Sequence, residues 1–225
     1  MKDDMNPWLS IWTQPRATIA QIVKGNPNRS LWLLAWMYGF VSLLNFFQSM
    51  TLGNSMGAVG IFITAILLAP IYGYLSFSIW SWFVTWVGAL FRGQGRFKAI
   101  RCAYAWSCVP IFVNIPLWLL MVLLFGPQLF LNVPDAHFLI GWKVLALFVI
   151  SLMKVVIAVW SLVIYINALA EVQQYSAIRA IFNIIVAAVI LGVILFVAWS
   201  LLLHTSNSAA ISTFTIPSSK FGGTL

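Results

Sequence analysis

Residues Gly57–Phe91 read GAVGIFITAILLAPIYGYLSFSIWSWFVTWVGALF, about 35 residues without a charged side chain. As an α-helix the run would be about 52 Å long, well beyond the roughly 30 Å of a hydrocarbon core. It is therefore one long helix or two spans. Pro70 and Gly73 can bend a helix, but no polar turn residues accompany them. A second span would also have only Ser76–Phe91 with which to cross. Charge decides between the two. One long helix puts every short basic loop on the same side, whereas two spans set Arg92, Arg96, Lys98 and Arg101 opposite the basic amino-terminal segment, against the positive-inside rule. The run is read as one span.

Around it, the 225-residue chain is 62% hydrophobic and 7% charged, where a soluble domain has about a quarter charged. Mean hydropathy is +0.99. Only lipid solvates so much apolar sequence, so the expected class is all-α and polytopic, an integral membrane protein with five transmembrane helices. The spans fall at about 31–50, 57–91, 103–125, 138–170 and 177–203, a membrane domain over 31–203. An amino-terminal segment, 1–30, precedes it and a Ser-, Thr- and Gly-rich flexible tail, 204–225, follows.

Met1–Pro7 lead into no apolar core of signal length, so no cleaved signal is expected. Trp8–Lys24 interleaves apolar and polar residues. It reads as a short interfacial helix, with Pro15 near its start and Thr13 as a cap, or as an amphipathic helix packed on the protein's own loops. Gly126, Pro127, Asn132, Pro134 and Asp135 mark one loop, and Glu171–Ser176 another.

Twelve Lys and Arg against four Asp and Glu give a net charge of +8. With five spans, Lys143 and Lys220 lie on one side and Lys154 within the membrane, leaving nine of the twelve basic residues on the amino-terminal side. That side is expected to be cytoplasmic and the carboxy terminus outside. The cations cluster at span ends rather than in a phosphate-tracking stripe, so nucleic acid is not an expected partner. Cys102 and Cys108, six positions apart on one helix and about 9 Å along its axis, are too distant for a disulfide within it. Phe97-Lys98-Ala99-Ile100-Arg101 and Tyr175-Ser176-Ala177-Ile178-Arg179 suggest a parallel repeat relating spans two and three to spans four and five. Chance similarity between apolar helices is the alternative.

Three stretches carry a family resemblance: Pro7-Trp8-Leu9-Ser10-Ile11-Trp12 with Pro15-Arg16; Gly95-Arg96-Phe97-Lys98 leading into Tyr104 and Val109-Pro110; and Trp160–Ala168 followed by a polar loop and Ala177. In order and spacing the chain resembles a prokaryotic-type member of the Yip (Ypt-interacting protein) family. Tyr72-Gly73-Tyr74 is similar to a Gly-Tyr-Gly element of that family. The resemblance implies five spans and a cytoplasmic amino terminus. Eukaryotic relatives act in vesicle traffic and engage prenylated Rab-type GTPases. The Asp-Leu-Tyr-Gly-Pro-like element of their amino-terminal region is absent here, so the resemblance does not carry GTPase binding to this chain. For prokaryotic-type members it implies a fold without an established activity, and a bacterial inner-membrane location.

Few residues offer chemistry. Lys154, within a span, costs roughly 2.5–3.5 kcal/mol on insertion scales. It marks an intramembrane polar site, with Asn114 and Asn45 as candidate partners, or it snorkels to the outer headgroups. Lys143, eleven residues earlier, lies on nearly the same helical face. Arg92, Arg96, Lys98 and Arg101, together with Arg179, are candidate contacts for anionic lipid or a partner, and ordinary positive-inside anchoring explains them equally. Glu171 is expected to clasp the two cytoplasmic loops by pairing with Arg101, Arg96 or Arg179. His137, beside Asp135, and His204 lack metal-ligand spacing. No metal, cofactor or catalytic constellation is expected. The expected function is a membrane scaffold or organiser whose partners are membrane lipids, another membrane protein or a second copy of itself. A channel or transporter for a small anionic solute or lipid, with Lys154 as its interior charge, is the alternative.

Overall fold

The computed structural model describes residues 6–131 and 141–214, with the backbone alone at 203 and 206–214. Its described residues are helical with no strand. Eight α-helices follow in order: α1 (Pro7–Ser10), α2 (Pro15–Gly25), α3 (Leu31–Ser49), α4 (Ala58–Leu90), α5 (Phe97–Ser107), α6 (Asn114–Phe125), α7 (Trp142–Gln173) and α8 (Ala177–Phe214). Five stretches are long and apolar enough to cross a membrane: α3, α4, the run Phe97–Phe130, α7 and Ala177–Leu202. Their outward faces are apolar, as at Leu145, Val156 and Trp82. Water would not tolerate such a surface and lipid prefers it.

Residues through Asn183 form one compact unit. From Ile184 the remainder of α8 is a second unit, a single helix exposing Val193, Phe196 and Trp199. The expected tail begins at 204, yet α8 runs to Phe214. No Gly or Pro interrupts the chain between Gly192 and Pro217, so nothing forces the helix to end sooner. The rest of that tail, and the expectations for Asp135 and His137, lie outside the described residues.

The Gly57–Phe91 run holds a single helix, α4, from Ala58 to Leu90, with Pro70 inside it. Proline removes the N–H that would bond the Ile66 carbonyl, and the Trp36 indole on α3 donates to that carbonyl instead at 3.2 Å. The third span uses the same device. It starts at Phe97, six residues before the expected 103, and breaks into a 3-10 turn at Val109–Val113 around Pro110. Ile111 N–H bonds Cys108, which frees the Ser107 carbonyl, and the Ser161 hydroxyl on α7 donates to it at 2.6 Å.

Close backbone approach joins α3 to α4. A side chain at Gly39 would strike the Ala69 carbonyl, and one at Gly73 the Ala35 carbonyl. Ala35-x3-Gly39 thus faces Ala69-x3-Gly73 in an antiparallel pair, the small-residue packing that lipid favours because it supplies no hydrophobic force between helices. Beside this pair the Tyr104 ring meets Tyr38, Phe77 and Tyr165, and the Trp80 indole donates to the Tyr165 hydroxyl at 2.9 Å.

Trp8–Lys24 is two helices rather than one, because Pro15 opens a new helix at its first position. Gln14 occupies the cap position, and Thr13 makes no cap bond. The apolar side of this segment packs on the protein itself. Ile11, Ile19 and Ile22 are buried with Ala103, Trp106 and Ile164, and the Trp8 ring lies 5.1 Å from Trp106. Burying each such isoleucine contributes about 2 kcal/mol.

Candidate functional site

The two polar loops meet at one end of the bundle. Helices α4 and α7 finish in the same way. Gly93 N–H reaches the Gly88 carbonyl and Arg92 N–H the Ala89 carbonyl; Tyr175 N–H reaches Ala170 and Gln174 N–H reaches Glu171. Each is a Schellman turn, with its left-handed residue at Arg92 (φ 59°) or Gln174 (φ 57°). The helix ends therefore repeat, but the sequence repeat is out of register with them. Alignment sets Ala99 against Ala177, whereas Phe97 and Ala177 are the residues that begin α5 and α8.

The clasp between these loops is Gln173, not Glu171. Gln173 is 1% exposed. Its side-chain oxygen accepts the Gly95 N–H at 3.0 Å, and its backbone oxygen accepts the Gln94 N–H at 3.1 Å. A side chain added at Gly88 or Gly93 would collide with the Gln173 amide. Beside it, buried Asn183 donates to the Val84 carbonyl at 3.3 Å and to the Tyr175 hydroxyl at 2.6 Å. A neutral amide can be buried where a carboxylate would lose too much hydration. Among the described residues Glu171 forms no ion pair with Arg101, Arg96 or Arg179.

Arg92, Arg96, Lys98 and Arg179 are exposed at this end. Arg101 does not join them, because α5 has already begun and turns it inward until it is 8% exposed. Its guanidinium donates to the Tyr74 hydroxyl at 2.8 Å and to Asn28 Oδ1 at 3.1 Å, and lies over the Tyr74 and Phe97 rings at 5.1 and 5.3 Å. Hydrogen bonds and π-faces hold this cation in place of a carboxylate.

Three cavities open at the same end. One of about 510 Å³ is walled by Arg16, Glu171, Gln174, Tyr175, Ser176 and Arg179. A neighbour of about 430 Å³ has Trp12, Trp160, Val163, Ile164 and Asn167 in its wall and shares Arg16 with the first. The third, of about 280 Å³, includes Lys24, Arg96 and the same Glu171. Arg16 is fixed by donating from Nε to Asn167 Oδ1 at 3.1 Å. Burial pushes the Tyr175 hydroxyl above the ordinary tyrosine value, and the hydrogen bond from Asn183 opposes that shift only in part. The group stays neutral at physiological pH. Sequence reading names Arg16 only within the family resemblance and the charge count, and does not single out Asn167 or Gln173. Asn167 and Glu171, spaced i, i+4, put two polar side chains on one face near the end of α7.

Within the apolar helix α7, Lys154 is half-buried and its ammonium sits 4.4 Å from the centre of the Trp118 ring. Asn114 lies one turn before Trp118 on α6, buried, with its side-chain oxygen unpartnered. Asn45, on α3, is exposed, and no bond joins it to Lys154. Among the described residues no three metal-ligating side chains gather.

No curated protein and no solved structure matches the chain. The model of the Yip1 domain matches residues 9–200, a stretch that takes in the packed amino-terminal helices, the amide clasp and nearly all of the five spans. The chain belongs to the Yip1 domain family.

Proposed function

We propose that this multi-pass membrane protein is a scaffold, without catalytic activity, that gathers other membrane components at the end of the bundle where the two polar loops are clasped. In this reading that end faces the cytoplasm, the carboxy terminus lies outside, and a bacterial cell would hold the protein in its inner membrane. One observation carries it: four exposed cations stand at one end of the bundle, Arg92 and Arg96 on a loop held in place by a buried amide and Lys98 and Arg179 in the first turns of α5 and α8. A surface on a fixed frame loses little entropy when it binds.

The test replaces those four residues with glutamine and leaves buried Arg101 alone, so that folding is not confounded. Photo-crosslinkers at exposed Gln94 and Gln174 would be activated in native membranes. A recurrent membrane-protein partner, or a second copy of the chain, captured by the wild type and lost in the fourfold variant is the expected result. Equal capture by both, or capture of lipid alone, overturns the scaffold reading. The transport alternative has less behind it, since Lys154 rests on an aromatic ring rather than beside Asn45. Flux in liposomes that disappears in Lys154→Met would revive it.

A further inference from the structure

The cavity shared by α2, α7 and the start of α8 has a charge pattern of its own. Two arginines, Arg16 and Arg179, and one acid, Glu171, line a space of about 510 Å³, together with Tyr175 and Ser176. Arg16 is held through Nε by Asn167, and its terminal nitrogens bond no acceptor among the described residues. They are left to a ligand, and guanidinium N–H groups suit phosphate oxygens. Glu171 is equally uncommitted, and a carboxylate among arginines suits a ligand that carries a cation as well as anions. The neighbouring 430 Å³ groove shares Arg16 and is apolar where Trp12, Trp160, Val163 and Ile164 wall it. From Glu171 back to Trp160 is eleven residues of α7, about 16 Å along the helix toward the middle of the span. The groove's apolar wall is suited to an acyl chain, as the polar cavity is to a headgroup.

We propose that these two spaces form one site for a phospholipid with a primary amine in its headgroup: the phosphodiester on Arg16 and Arg179, the ammonium on Glu171, and one acyl chain along the Trp12–Trp160 groove. The proposal goes beyond the scaffold role above and is tested separately from it. A headgroup lacking the amine leaves Glu171 facing a phosphate, and a quaternary amine cannot donate a hydrogen bond to it.

The experiment uses the full chain, purified in detergent and titrated with phosphatidylethanolamine, phosphatidylserine, phosphatidylglycerol or phosphatidylcholine. Bound lipid is read by native mass spectrometry and thermal stabilisation is read in parallel. Expected is at least a tenfold preference for the two primary-amine lipids. Glu171→Gln should abolish that preference and leave phosphatidylglycerol binding the same or tighter, while Arg179→Gln should weaken all four lipids about tenfold. Equal retention of all four by the wild type, or a preference unchanged in Glu171→Gln, overturns the site. Arg92→Gln with Lys98→Gln, which lie outside the cavity, should leave lipid selectivity untouched. Lost partner capture with intact selectivity therefore sinks only the scaffold reading, and lost selectivity with intact capture sinks only this one.

Discussion

Glycine does two different jobs in two regions of this protein. In the middle of the α3–α4 pair, Gly39 and Gly73 admit a neighbouring backbone. At the end of α4, Gly88, Gly93 and Gly95 admit one side chain, the amide of Gln173. The surrounding solvent explains the contrast. Lipid gives helices no hydrophobic reason to associate, so contact there depends on how closely two backbones approach. At the polar end water competes, and a buried N–H such as that of Gly95 must find an acceptor inside the protein. The middle is therefore demanding about shape, and the end about chemistry.

Breaking the shape should have the largest effect. Gly73→Leu places atoms on the Ala35 carbonyl, which belongs to the backbone and cannot swing aside, so a loss of about 3 kcal/mol is expected. Size-exclusion chromatography in detergent should show little folded protein. Gly60→Leu, on the same helix where an added Cβ meets only Met56 at ordinary distance, should elute normally. If both variants behave alike, the backbone contact is not what holds the pair. Next comes the chemistry of the end. Gln173→Ala orphans the Gly95 N–H and should cost about 2 kcal/mol, with proteolysis beginning in the 92–96 loop. Unaltered cleavage there would mean that the loops are held by something else.

A smaller effect sharpens the comparison from within the membrane. A double-mutant cycle of Lys154→Met and Trp118→Leu should return a coupling of about 1 kcal/mol, measured by thermal unfolding in nanodiscs. Additive single effects would show that the ammonium and the ring do not interact. Smallest of all, Gln174→Gly relieves a left-handed backbone at a non-glycine residue, offset in part by the entropy glycine adds to the unfolded chain, and should raise stability by about 0.5 kcal/mol. A loss instead would place the Gln174 side chain in a role of its own, such as its bond to the Glu171 carbonyl.

Span number and span type were legible because hydropathy and charge act over long stretches, where single side chains average out. Gly57–Phe91 could be assigned as one helix from the side on which its flanking arginines fall. Single polar positions were not legible. Arg101 and Arg96 look alike as letters, and only the early start of α5 turns one toward Tyr74 and leaves the other exposed. Glu171 drew attention as the lone acid near the arginines, while Gln173, two residues on and on another face, makes the bonds. Charge is conspicuous in a sequence, whereas a buried neutral amide is recognisable only once its neighbours are known. The Tyr72-Gly73-Tyr74 element hints at family without hinting at mechanics. Its glycine admits a backbone and its second tyrosine accepts a hydrogen bond from Arg101.

Pro70 leaves a debt in its helix that Trp36, on another helix, settles through the Ile66 carbonyl. The two positions are consequently a single heritable trait. A lineage that loses the indole while keeping the proline carries an unanswered carbonyl in the hydrocarbon core, and one that loses the proline frees position 36 to drift. Substitutions at 36 and 70 should therefore arrive together among descendants of this sequence, as should those at Pro110 and Ser161, although neither pair is adjacent in the chain.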